Sequence, residues 1–174
     1  DMNIHVRDEM KPGMDWNKFL EECMLKKVGT ENIDILGISA IFNVNASYLE
    51  SIASISKKKF PGVTVIAGGG LPSNLPEEVF RLAPSIDGIA YGEGEKPLLN
   101  LINAKDRMSH LETEIKGWIT KKSLAEKKKP MHDFVWNLDE IPYKSYDLID
   151  FKNYKSLTRY HGEKTEKTVT ASLM

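Results

Sequence analysis

Three short apolar runs, each followed by a stretch with helical spacing, constrain this chain more than any other feature in it. "NIDILGISA" (32–40) has the composition of a strand buried on both faces. "NASYLESIASISKKKF" (45–60) places Leu49, Ile52, Ile55 and Ser56 on one helical stripe. Pro61-Gly62 then supplies a turn into a β-branched strand over 63–67. "PEEVFRLA" follows as a short helix with Pro76 in its first turn and Glu77 and Glu78 suited to the helix dipole. "SIDGIAYGEG" reads as a third strand and "EKPLLNLINA" as a further helix. Ahead of them, "MDWNKFLEECMLKKV" predicts a helix with Asp15 as its N-cap and Trp16, Phe19, Leu20, Cys23 and Met24 on its apolar side. Strand and helix in strict alternation yield an α/β, doubly wound parallel sheet with helices on both faces.

After residue 104 the pattern changes. No long amphipathic helix follows; Ile115–Thr120 with Lys121–Lys129 returning reads as a hairpin. Beyond it lies an extended arm rich in apolar and aromatic residues (Trp136, Leu138, Ile141, Tyr143, Tyr146) that should lie across another surface. The expected organisation is therefore 1–104 as the α/β domain and 105–174 as hairpin and linker arm. The lysine runs 57–59 and 127–129 read as solvated faces.

Composition narrows the function classes. With 24 Lys plus Arg against 25 Asp plus Glu, the chain lacks the basic footprint of a nucleic-acid binder. No apolar run approaches the ~20 residues of a membrane span. A lone cysteine, Cys23, excludes an internal disulfide and a cysteine-ligated cluster built from this chain alone, and it points to a cytoplasmic setting. Cys23 itself belongs to an apolar helix stripe and reads as core.

Ligands of open parallel sheets bind outside the carboxyl ends of the strands. Three such ends are legible: Ser39, Ala40, Ile41, Phe42 and Asn43; Gly68, Gly69, Gly70, Leu71, Pro72 and Ser73; and Tyr91, Gly92, Glu93, Gly94 and Glu95. Small residues open each of the three, so one edge gives up side chains where a ligand can reach backbone. A dinucleotide site would want G-x-G-x-x-G running directly into a helix. Here Leu-Pro-Ser-Asn-Leu-Pro follows the triplet, so the helix is expected to start late. Glutamates also occupy the helix starts that a phosphate would use. No Walker loop is present, and the strand ending at Ser39 lacks the aspartate of a phosphoacceptor receiver. The edge is suited to a bulky, mostly uncharged body. His5, His110, His132 and His161 show no metal-ligand spacing, and no Ser/His/Asp or Cys/His catalytic set is legible. Only His5 is close enough to the predicted edge to be watched.

"DILGISAIF", "YLESIASISKKKFPGVTVIAGGGLPSNLPEEVFRLAPSIDGIAYGEGEKPLLNLI" and "NLDEIPYKSYDLIDFKNY", in that order, resemble the cobalamin (B12)-binding domain of B12-dependent radical SAM enzymes and the linker that joins it to the radical SAM barrel. The resemblance implies a Rossmann/flavodoxin-like fold with cobalamin held by Ser39, Ala40, Ile41, Gly68, Gly69, Gly70, Leu71, Tyr91, Gly92, Glu93 and Gly94. It implies that this chain binds and does not catalyse. Methyl transfer, or a radical rearrangement or cyclisation, would belong to a longer parent with a [4Fe–4S] cluster and S-adenosylmethionine in the barrel. Two departures stand out. "DMNIHVRDEM" lacks the D-x-H-x-x-G of cobalamin proteins that replace the lower ligand, so His5 is a remote candidate for cobalt. The family's first strand and helix are also expected ahead of Asp1, and the cluster motif beyond Met174. A retained fold without cofactor, serving as an interaction or scaffolding domain, is the alternative.

Overall fold

The computed structural model describes residues 9–28, 33–41, 46–142, 145–148, 159–160 and 163–164. The apolar runs form the strands expected of them. β1 (Ile35–Ser39), β2 (Thr64–Gly68) and β3 (Gly88–Ala90) are parallel neighbours in that order, and the short β4 (Trp118–Ile119) joins β3 antiparallel. Helices α1 (Trp16–Val28), α2 (Ala46–Lys59), α3 (Gly70–Asn74), α4 (Pro76–Leu82), α5 (Glu95–Asn103), α6 (Arg107–Thr113) and α7 (Lys121–Ala125) complete the unit. The fold is α/β with a mostly parallel sheet, consistent with a Rossmann/flavodoxin-like domain.

Local chemistry explains the main boundaries. Asp15 caps α1 through its carboxylate, which accepts the Lys18 N–H at 2.7 Å. Phe19, Leu20, Cys23 and Met24 are the buried side of that helix. Pro76 bars Leu75 from helical backbone, which separates α3 from α4. Asp87 ties three elements together. Its Oδ2 accepts from Lys57 Nζ at 2.5 Å and from the Val65 N–H at 2.7 Å, and Lys57 Nζ also donates to Val63 O at 2.7 Å.

The pairing register sorts the strand residues onto two faces. Ile35, Gly37, Ser39, Ile66, Gly68, Gly88, Ala90 and Trp118 share one face, since Gly37 pairs with Ile66, Ser39 with Gly68, Ile66 with Gly88 and Ala90 with Trp118. On that face Ile66, Trp118, Leu101 of α5 and Leu111 of α6 form a buried cluster, with Ile35 and Ala90 against it. Val65, Ala67 and Ile89, all buried, alternate onto the other face; α2 packs on β2 and on α4.

Three expectations change, and one short helix appears where none was read. β1 is half-buried to exposed rather than buried on both faces, because it pairs only with β2 among the described residues. The helix after the glycine triplet does not start late: α3 begins at Gly70. Arg107–Thr113 is helical, with the Asp106 carboxylate accepting the Ser109 N–H. The expected hairpin over 115–129 does not form. Trp118–Ile119 pairs with β3, and the would-be return strand is α7. A reciprocal cap decides this: Thr120 Oγ1 accepts the Ser123 N–H at 3.1 Å, and Ser123 Oγ accepts the Thr120 N–H at 2.9 Å.

Met14–Ile141 is one compact unit, so the boundary expected after residue 104 falls inside it, with α6, β4 and α7 part of the same body. Residues 1–13 and 142–174 form a second unit, in which Arg159–Tyr160 and Glu163–Lys164 pair antiparallel. Tyr143 of the arm lies outside the described residues. No helix among the described residues is long and apolar enough to cross a membrane.

Candidate functional site

Three strands each place a small residue at the carboxyl end of the same sheet face: Gly37 and Ser39 on β1, Gly68 on β2 and Ala90 on β3. With no side chain to fill it, that face is left as an open trough of about 400 Å³. Ile66, Leu98 and Trp118 form apolar walls, and Gly94 and Glu95 at the start of α5 stand at its end. A Cβ added at Gly37 would meet nothing closer than Ile66 Cγ1 at 4.0 Å, and one at Gly68 would meet Ala90 Cβ at 3.7 Å. The backbone would tolerate a Cβ at both positions, and a side chain there would take space from the trough.

Of the sequence-predicted residues, Ser39, Gly68, Gly69 and Gly94 line this trough, and the others surround it or face elsewhere. Ala40 is fully buried in the chain's own backbone: its N–H donates to Gly68 O at 2.9 Å and its carbonyl accepts the Leu71 N–H at 3.1 Å. Gly69 has φ +98°, and a Cβ there would stand 2.7 Å from Ala40 O. A Cβ at Gly70 would stand 3.3 Å from Ile41 O. What comes close to the second and third glycines is therefore the preceding loop of this chain. Leu71 is buried against a separate apolar cavity of about 240 Å³ with Leu49, Leu75, Val79 and Leu82. Ile41 is more than half exposed at the edge.

The third loop carries an extended strap. Glu93 accepts the Val135 N–H at 2.8 Å, Lys96 Nζ donates to Phe134 O at 2.9 Å, and Gly117 N–H donates to Met131 O at 2.7 Å. Gly92 has φ +79°, and His132 fills the space where its Cβ would stand. The rings of Tyr91, His132, Phe134 and Trp136 follow one another at centroid spacings of 4.4, 4.9 and 5.7 Å. Trp136 ends this ladder at 86% exposed. Of the expected aromatic arm, Trp136 is joined to the β3 loop through this ladder, while Leu138 is exposed.

Sequence reading missed Gly37, Ile66, Ala90, Leu98 and Trp118 as trough residues. A period-two recurrence of small residues (Gly37 and Ser39, Gly88 and Ala90) was available as a signal, though it says nothing of which strands stand side by side. His5 lies outside the described residues. Among the described residues no three His, Cys, Asp or Glu side chains converge on a point that could hold a metal ion.

A family model for the B12 binding domain matches residues 4–102, more than half of the chain. The chain belongs to the B12-binding domain family. Within that family, the trough and the three loops around it lie at the carboxyl edge where a parallel sheet presents its ligands. Two curated relatives are similar to this B12-binding domain. An uncharacterised methyltransferase of Pyrococcus horikoshii is 34% identical over 124 residues, 71% of this chain. An anaerobic magnesium-protoporphyrin IX monomethyl ester cyclase of Rubrivivax gelatinosus is 35% identical over 92 residues, 52% of this chain. The chain spans 26% of the first relative's length and 16% of the second's.

The described residues fit a cobalamin in one specific respect. A trough of about 400 Å³ is in the range of small-ligand pockets but too small for a whole corrinoid. Its size and apolar walls would suit a single heteroaromatic base such as the one the cobalamin nucleotide carries.

Proposed function

We propose that this chain is the cobalamin-binding module of a B12-dependent radical SAM enzyme. The observation that carries the reading is the row Gly37, Ser39, Gly68 and Ala90, which keeps one end of the sheet face empty in a chain of the B12-binding family. Ser39, Gly37, Gly68, Gly69 and Gly94 would hold the tail, and Ala40, Ile41, Gly70, Leu71, Tyr91, Gly92 and Glu93 would shape the edge on which the corrin rests. When bound, cobalamin supplies a cobalt centre able to carry a methyl group. The chain's own residues bind and orient it. Glu95 at the mouth and the apolar lining favour a neutral body over a free phosphate.

The parent reaction, methyl transfer or a radical rearrangement or cyclisation, would need a [4Fe–4S] cluster and S-adenosylmethionine in a partner barrel. The relatives' names, a methyltransferase and a cyclase, support both kinds of chemistry. One observation favours the scaffolding alternative: Gly69 and Gly70 are already explained by contacts with Ala40 and Ile41, without any ligand.

A visible-absorption titration with hydroxocobalamin, followed by desalting, separates the two. The chain should retain the cobalamin spectrum. Gly37→Leu and Ser39→Leu, on an exposed strand position each, should fold normally by circular dichroism and bind at least about tenfold more weakly. Unchanged binding in both variants would remove the trough as the site. Absence of binding by both this chain and its longer parent would leave the scaffolding reading.

A further inference from the structure

The loop after β3 is held less by its own backbone than by the strap far along the chain. From Gly92 to Gly94, the one backbone hydrogen bond among the described residues is the Leu98 N–H to Gly94 O, at 2.9 Å. Glycine has more conformational freedom to lose than any other residue, and here two glycines flank Glu93. The strap supplies what the loop lacks. His132 Nδ1 occupies the place of a Gly92 Cβ, and its ring lies against those of Tyr91 and Phe134 at 4.4 and 4.9 Å between centroids. Glu93 accepts the N–H of Val135, 42 positions on, and Lys96 in the first turn of α5 donates to Phe134 O. Met131 O accepts the Gly117 N–H and Gly117 O accepts the Tyr91 N–H, so strap, β4 and loop form a closed circuit. Gly94 and Glu95, directly after the clasped residues, line the end of the trough. Residues 131–135 lie beyond 4–102, the part of the chain that matches the family.

We infer that His132 is a positioning residue for the cofactor, and that the strap over 131–135 is a working part of the cobalamin site although it lies outside the family's own segment. The imidazole, wedged on Gly92, fixes the loop in the arrangement that the corrin meets, so binding does not have to order it. The inference rests on the cobalamin reading above. A strap that merely covered the β3 loop would need no ring at this position, because Glu93, Lys96 and Gly117 already tie its backbone. The ring instead touches the residue of the loop that has neither a side chain nor, among the described residues, a backbone hydrogen bond.

The test compares His132→Ala, His132→Phe and Trp136→Ala with the unaltered chain by hydroxocobalamin titration, by 15N relaxation without cofactor and by urea unfolding. Amide order parameters over 92–94 should be ~0.85 in the unaltered chain and fall below ~0.6 in His132→Ala. Its affinity for hydroxocobalamin should fall about tenfold, which corresponds to ordering the backbone of one residue again on binding. His132→Phe keeps a ring on Gly92 and should restore the order parameters, with affinity within about twofold of the unaltered chain. Trp136→Ala, at the far end of the ladder, should change neither quantity. Urea midpoints of all three variants should stay within about 0.5 M of the unaltered chain. Unchanged affinity in His132→Ala, a loss that His132→Phe does not recover, or an equal loss in Trp136→Ala would overturn the inference and leave the cofactor reading intact. A large fall in the His132→Ala midpoint would likewise assign the ring to the fold and overturn it. Failure of the unaltered chain to retain cobalamin would overturn both.

Discussion

Replacing Gly69 by alanine tests whether the glycine triplet serves the chain's own backbone. Two costs can be separated. The backbone at Gly69 (φ +98°, ψ −178°) lies in a region that is essentially restricted to glycine, a strain of ~1–3 kcal/mol for any other residue. The new Cβ would also stand 2.7 Å from Ala40 O and 3.1 Å from Ala40 C, atoms fixed by the Ala40–Gly68 and Leu71–Ala40 hydrogen bonds. Relief requires the two loops to part, at a further ~1–3 kcal/mol. The expected loss is about 3–4 kcal/mol, a large share of the ~5–15 kcal/mol that holds a typical domain folded. Gly62 is the internal control. Its φ is +86°, but a Cβ there meets nothing within 4 Å, so Gly62→Ala bears the conformational strain alone, ~1 kcal/mol. Urea unfolding followed by far-ultraviolet circular dichroism reads both. With a slope of ~1–3 kcal/mol per molar, Gly69→Ala should lower the midpoint by roughly 1.5–2 M and Gly62→Ala by well under 1 M. Equal losses would refute the argument from loop contact. The comparison is made without cofactor, so it also decides which glycines can report on binding: Gly37 and Gly68 can, whereas Gly69 confounds binding with folding.

Two further outcomes follow from the polar ties of the unit. Asp87→Ala leaves the Val65 N–H buried without its acceptor and Lys57 without its carboxylate, and should cost ~2–3 kcal/mol, read as a fall of ~5–10 °C in Tm. Asp87→Asn keeps an acceptor and should lose less; an alanine variant as stable as the parent would show that the network contributes nothing. Glu93→Ala releases the Val135 N–H and should loosen the strap without unfolding the sheet. Limited proteolysis should then cut within 131–137 several-fold faster while the urea midpoint stays within about 0.5 M, and an unchanged cleavage rate would mean that Glu93 does not hold the strap.

The parts of this fold that were legible in the sequence are those whose signal is local. Helical spacing of Phe19, Leu20, Cys23 and Met24, the Asp15 cap, the Pro76 helix start and the β-branched run of β2 each depend on neighbours within a turn or a strand. β4 escaped because two residues carry no periodicity, and its partner β3 lies 28 positions earlier, from Ala90 to Trp118. The α7 cap was readable as Thr120 with Ser123 three positions on, but the lysine-rich segment that follows has no apolar stripe to announce a helix.

By itself the sequence determined that three strands and their helices would form a parallel sheet, and that small residues would gather at its carboxyl edge. It identified the B12-binding family by the order of its motifs. Only the tertiary structure decided what each small residue is for. Pairing register put Gly37, Ser39, Gly68 and Ala90 on one face, where together they leave a trough, and put Gly69 and Gly70 against Ala40 and Ile41, where they admit this chain's own backbone. The physical reason is that a missing side chain leaves space, and whether chain or ligand fills that space depends on strands far apart in sequence.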